Sequence, residues 1–145
     1  MSLQVFGLPV SRGVAIGRAV LVASSRVDVA HYFVEPAQVG DEIARLRVAR
    51  DLVCSELESL KQEVQGDTPA ELVALLDVHV MLLNDEVLAS ATCQWIEERH
   101  YNAEWAVAAQ LDALTRQFDE MEDEYLRERK SDVEQVAERL LQALA

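Results

Sequence analysis

The chain has 145 residues, of which 50% are hydrophobic, 27% charged and 6% aromatic. That length suits one domain able to bury a core without a disulfide or a metal, and the apolar half excludes a wholly disordered protein. With 13 basic against 26 acidic residues the net charge is −13, which argues against nucleic acid and anionic membrane as partners.

The charge is unevenly placed. Residues 1–66 hold 8 acids and 7 bases, whereas residues 67–145 hold 18 acids and 6 bases. The second part therefore carries nearly all of the field, and a basic partner would be steered to it; the alternative is a helical surface that is simply acidic. No apolar run approaches the roughly 18–20 residues needed to span a bilayer. The start lacks a basic stretch followed by a long apolar one, so no signal peptide is read and the expected compartment is the cytoplasm.

Gly7, Pro9, Gly13 and Gly17 crowd the first 17 residues, and neither residue type recurs after Pro69. Between these breakers, Gln4-Val5-Phe6, Val14-Ala15-Ile16 and Ala19-Val20-Leu21-Val22-Ala23 read as short strands. They are too few to close a sheet, and a lone hairpin is marginal in water. They are expected to lean on the helical part or to pair with strands outside this chain.

Pro36 predicts a helix start. Val39, Ile43, Leu46, Val53, Leu57, Leu60 and Val64 then form a heptad-like seam, interrupted at Arg50 and ended by Gly66. Asp67 or Thr68 with Pro69 opens a second helix, on which Leu72, Leu75, Leu76, His79, Leu82 and Leu83 recur. Asn84-Asp85 predicts a break, followed by a shorter helix with Val87, Leu88, Ala91, Trp95 and Ile96. Asn102 caps the next helix, which carries Ala106, Val107, Leu111, Leu114, Phe118 and Met121. The acidic run Asp119–Glu124 falls near a bend, and Ser131-Asp132 precedes a last helix with Val133, Val136, Leu140, Leu141 and Leu144. Narrow stripes and short connections predict a mainly α fold, an antiparallel bundle of two helical hairpins with a short N-terminal β segment.

Little in the chain points to catalysis. Cys54 and Cys93 fall inside helices and read as small hydrophobes. His31, His79 and His100 stand in no Gly-rich or Ser-His context, and there is no P-loop or dinucleotide fingerprint. Glu97-x-x-His100 has the spacing used by di-iron bundles, which need a second such motif that is absent here; a metal-dependent bundle enzyme is the weakest reading. His79 sits between leucines and reads first as a half-buried structural histidine. Leu75, Leu76, Met81, Leu82 and Leu83 cannot all face one seam, so apolar surface is left over for a partner.

Three stretches resemble the N-terminal region of enzyme I of the bacterial phosphoenolpyruvate-dependent sugar phosphotransferase system. They are Gly7-Leu8-Pro9-Val10-Ser11-Arg12-Gly13-Val14-Ala15-Ile16-Gly17-Arg18-Ala19, His79-Val80-Met81-Leu82-Leu83-Asn84-Asp85-Glu86-Val87-Leu88, and Asp123-Glu124-Tyr125-Leu126-Arg127-Glu128-Arg129-Lys130-Ser131-Asp132-Val133 with Arg139-Leu140-Leu141. The resemblance implies that residues 1–23 are the first strands of an α/β phosphohistidine domain, the rest of which is absent. Residues 24–145 would be the helical domain that docks the phosphocarrier HPr. In that family phosphate passes from phosphoenolpyruvate to an enzyme histidine and on to HPr, for sugar uptake.

The family's phosphorylated histidine lies in a Gly-Gly-x-x-Ser-His type motif that does not occur here, and the C-terminal barrel that binds phosphoenolpyruvate and Mg²⁺ is also missing. The resemblance thus implies a transferase for the whole protein and a chain that binds HPr without transferring phosphate, with no catalytic residue, metal ligand or cofactor of its own. The carrier-facing residues it implies are Glu71, His79, Met81, Leu82, Asp85, Glu86, Leu88, Leu126 and Arg129. Met81, Leu82 and Leu88 would be apolar anchors, and Glu71, Asp85 and Glu86 an acidic rim. Leu126 is equally explicable as core, and Arg129 equally as an ion-pair partner of Asp132. Leu72 and Val87 stand where the family often carries polar residues. The chain is expected to be a monomer, although the whole family member dimerises. Alternatives are the same region of a nitrogen-regulatory or fused multi-phosphoryl paralogue, or an acidic structural bundle without a partner.

Overall fold

The computed structural model describes residues 2–9, 12–18, 29–64, 66 and 69–145, the side chains of Val87 and Leu126 excepted. A single 3-10 turn, Pro36–Gln38, leads into α1 (Val39–Glu63), followed by α2 (Ala70–Asn84), α3 (Glu86–Arg99), α4 (Ala103–Asp119) and α5 (Glu124–Leu144). Proline at the first position fixes φ for the turn, and Glu35 and Gln38 cap it reciprocally. With 25 residues, α1 is about 37 Å long. It ends at Val64, just before Gly66, whose φ of +143° suits only glycine.

The chain runs down α1, up through α2 and α3, down α4 and up α5. Lys61 near the lower end of α1 pairs with Asp77 of α2 at 2.5 Å, while Arg45 near its upper end reaches Glu104 of α4 and the carbonyl oxygen of Leu144 in α5. Two hairpins result: α1 with the broken pair α2–α3, and α4 with α5. The core has two parts along α1. Leu46 and Ala49 join Ile96, Ala103, Ala106, Val107, Ala137, Leu140, Leu141 and Leu144 at the upper end. Val53 and Leu57 join Leu76, Leu83 and Val136 at the lower end. Ala49 takes the seam position next to Arg50, so the interruption read at Arg50 costs the core little.

The last helix starts at Glu124, nine residues before the Val133 start that Ser131-Asp132 predicts. Asp123 caps it, its carboxylate accepting from the Tyr125 N–H at 3.0 Å, and Ser131 and Asp132 lie within it. Nothing between Glu124 and Leu144 breaks a helix, so one good cap upstream outweighs a second downstream. Met121 falls in the connection and is exposed.

The segments 4–6 and 14–16 form no strand, and Val5, Phe6, Val14 and Ile16 are almost fully exposed. An extended segment needs a partner for its backbone donors and acceptors, and no described residue offers one. The strand read at 19–23 lies outside the described residues. The one β pairing described is an antiparallel bridge between Phe33 and Tyr101.

That bridge belongs to a polar tie at the upper end. Asn102, wholly buried, donates through Nδ2 to the Ala30 carbonyl and to Glu104 Oε2, both at 2.9 Å, and its Oδ1 accepts from the Tyr32 N–H. It precedes α4 as read from the sequence, but its side chain does not cap that helix. Glu42 of α1 does so instead, accepting the Ala103 N–H at 2.7 Å while also pairing with Arg45. Burial lowers the Arg45 pKa, but the hydrogen bonds and charges of Glu104 and Glu42 more than offset this and leave it raised. His100 takes the left-handed conformation (φ +56°), so that its carbonyl accepts the Val34 N–H at 2.8 Å. Trp105, Tyr101 and Trp95 stack in series beside it, with His31 on the far face of Trp105. Replacing Asn102 by alanine strands buried backbone groups of the 30–32 segment; urea unfolding should show a loss of about 2–3 kcal/mol, with the α1–α5 helical content retained at low denaturant.

Candidate functional site

α2 is apolar on two sides. Leu76, His79 and Leu83 are buried against α1 and α5. Glu71, Leu75, Val78, Leu82 and Asp85 recur at spacings of 4, 3, 4 and 3, which places them on one stripe of a helix. This second stripe faces outward: Leu75 is 38% exposed, Val78 and Leu82 are half-buried, and Glu71 and Asp85 are exposed. Met81 borders the stripe and is 55% exposed. A thioether of that kind adapts its shape to an incoming surface.

The helix breaks at Asp85, whose ψ of 124° is extended. Its Oδ1 accepts the Leu88 N–H at 3.3 Å and so caps α3, while Asn84 donates back to the Val80 carbonyl. The break turns α3 and sets Leu88, half-buried, beside the lower core. Glu86 lies exposed in the first turn of α3 and Glu71 in the first turn of α2. Carboxylates are favoured at both places by the positive end of the helix dipole.

Of the nine residues that the resemblance implies, five thus lie on or beside one face: Glu71, Met81, Leu82, Asp85 and Glu86; Leu88 packs toward the lower core instead. His79 does not lie there either. It is 3% exposed and turned into the bundle, with Nε2 3.5 Å from Asp132 of α5 and neither ring nitrogen in a hydrogen bond. Arg129 lies one turn before Asp132 and does not pair with it. Its guanidinium sits over the Tyr125 ring, 5.6 Å from the centroid, and Nη2 donates to the Tyr125 hydroxyl at 3.2 Å. The side chain of Leu126 lies outside the described residues, as does that of Val87. Leu75 and Val78 complete the outward stripe; their spacing from Glu71 and Asp85 was the signal in the sequence. Leu72, at the first turn, is also partly exposed.

No three His, Cys, Asp or Glu side chains among the described residues stand close enough to hold a metal ion. Burial raises the pKa of both thiols, Cys54 and Cys93. No helix among the described residues is long and apolar enough to cross a membrane.

Residues 6–129 match the family described as PEP-utilising enzyme, N-terminal. The chain belongs to that family. It is 55% identical, over all of its 145 residues, to a phosphoenolpyruvate-protein phosphotransferase of Cupriavidus necator, and covers 25% of that protein. It is 28% identical over 144 residues to the protein of the same name from Listeria innocua, again 25% of its length. The chain therefore spans about a quarter of the curated relatives it matches. Among solved structures, an Enzyme I protein determined by NMR aligns with TM-score 0.76 and 26% identity over 83% of this chain and 48% of that one. The N-terminal domain of an Enzyme 1 labelled Nitrogen aligns with TM-score 0.72 and 26% identity, over 81% of this chain and 48% of that one. The helical bundle is thus the Enzyme I N-terminal helical fold.

Asp85 has two separable roles, a cap and a surface charge. Asparagine caps as well as aspartate, whereas alanine does not. Thermal melts should therefore show Asp85→Ala about 1 kcal/mol less stable and Asp85→Asn close to the parent protein.

Proposed function

We propose that this chain is the carrier-docking part of a phosphoenolpyruvate-protein phosphotransferase, and that the face formed by α2 and the start of α3 receives HPr or an HPr-like carrier. The observation that carries this reading is the outward stripe Leu75-Val78-Leu82 with Met81, in which Leu75 and Met81 are exposed and Val78 and Leu82 half-buried, bordered by Glu71, Asp85 and Glu86. Apolar groups at the centre of an interface supply most of its affinity. Charges at the rim govern encounter more than depth of binding. The 18 acids against 6 bases of residues 67–145 supply the long-range attraction for a basic surface.

The division at residues 23 and 24 belongs to the same proposal. Residues 1–23 would pair only within the longer α/β domain, which accords with the exposure of 4–6 and 14–16. Phosphoryl transfer from phosphoenolpyruvate to a histidine, the Mg²⁺ it requires and a cytoplasmic setting are proposed for the whole enzyme, and this chain by itself is inactive. The two structural relatives are equally identical in sequence to it, so a nitrogen-regulatory carrier is the second reading. An acidic bundle without partner is the third, favoured by the placement of Glu71, Asp85 and Glu86 at helix starts, where they are stabilising without any ligand.

Amide-shift titration with each purified carrier separates the three. A sugar-system carrier should shift the amides of 71–88; shifts with the nitrogen-system carrier alone select the second reading, and none with either selects the third. Met81→Ala should weaken carrier binding by about 1–2 kcal/mol with an unchanged melting temperature. Asp85→Asn with Glu86→Gln should slow association at low salt and flatten its salt dependence; stopped-flow rates unaffected by the pair would remove the steering role.

A further inference from the structure

Between α1 and α3 lies a cavity of about 350 Å³, open on one side. That is within the range of small-molecule pockets. Its floor is apolar and includes Leu83 and Leu88, and its α1 wall carries Arg47 and Arg50. Cys93 and Glu97 of α3 face them. The lining carries two guanidinium groups and the carboxylate of Glu97, with Asp51 paired to Arg50 beside it. Arg47 makes no salt bridge or hydrogen bond among the described residues. Arg50 spends Nε and Nη2 on Asp51 Oδ1, which leaves Nη1 without a described acceptor. Both cations lie within electrostatic reach of the Cys93 thiol. Burial raises the pKa of that thiol, and the charges of Arg47 and Arg50 oppose the rise.

We propose that this cavity is a binding site for a small organic anion with an apolar body, its carboxylate or phosphate held between Arg47 and Arg50 and its hydrocarbon part on Leu83 and Leu88. Guanidinium groups favour such planar or tetrahedral oxyanions, and a leucine floor rewards each methylene placed on it. The site does not depend on the docking reading, because the ligand is read directly and in the absence of any carrier.

The probe is 4-phenylbutyrate, compared with its neutral amide 4-phenylbutanamide, titrated into the ¹⁵N-labelled 145-residue protein. The carboxylate should shift the amides of Leu88 and Cys93 saturably and bind at least tenfold more tightly than the amide. Arg47→Gln alters an exposed side chain without described partners, so the fold is retained; it should weaken carboxylate binding at least threefold and leave the amide unchanged. Arg47→Gln with Arg50→Gln should bring the two probes within twofold of each other. Equal binding of acid and amide, shifts confined to other surfaces, no binding, or indifference to Arg47→Gln would each overturn the proposal.

Discussion

A helix can turn only one stripe toward a core, and α2 carries two. The bundle takes Leu76, His79 and Leu83, the set about 100° around from Leu75, Val78 and Leu82. Rotating the helix to bury the second set would expose the first and lose Leu76 and Leu83 from the lower core that Val53, Leu57 and Val136 complete. Both sets cannot be satisfied within one chain, so apolar surface persists on the outside whatever the details of packing. The exposure of Met81 and Leu75 therefore follows from the arrangement of the bundle.

The break at Asp85 follows from the same constraint. A straight continuation would carry the outward stripe away along one line. Instead Asp85 ends α2 in an extended conformation and caps α3, so that α3 changes direction and returns Leu88 toward the core. One carboxylate thus shapes the face and contributes charge to it. At the upper end a different economy holds. Glu42, Arg45, Asn102 and Glu104 satisfy one another and the backbone of the incoming segment, and the stacked rings of Trp95, Tyr101 and Trp105 lie alongside. That end is fixed by polar geometry, whereas the lower end is packed mainly by leucine and valine, with the Lys61–Asp77 pair at its surface. The face on α2 and α3 is consequently built on a scaffold held firmly at the distant end.

Much of the bundle was legible because helix periodicity and breakers are local signals. The seam on α1, the break at Asn84-Asp85 and the stripe Val133 to Leu144 were each readable from spacing. The errors fall where a partner outside the local window decides. The N-cap of α4 was assigned to Asn102 from its type and place; its side chain instead serves residues 30–32, and Glu42, 61 positions away, caps the helix. Ser131-Asp132 has the composition of a cap, but Asp123 opens α5 upstream of it and both residues lie inside the helix. The segments 4–6 and 14–16 have strand composition but no ladder to join. For the face itself, acid and methionine positions are legible, and so is the structural role of His79, whose place among leucines points inward; only the carrier-facing role that the resemblance implies for it does not hold.

His79 shows how the interior and the face are linked. Its ring is buried with neither nitrogen in a hydrogen bond, and Asp132 stands at 3.5 Å. A buried polar ring without partners is costly, and a small approach of α5 to α2 would close that gap into a bond. The neighbours of His79 along the helix, Val78 and Val80, differ in burial only by degree, and Met81 two residues on is at the surface. A rotation of α2 about its own axis would alter the His79–Asp132 distance and the outward stripe together. The polar pair inside the bundle and the apolar stripe outside it are two sides of one helix, so the packing of α2 on α5 that sets the His79–Asp132 distance also sets how the stripe is presented.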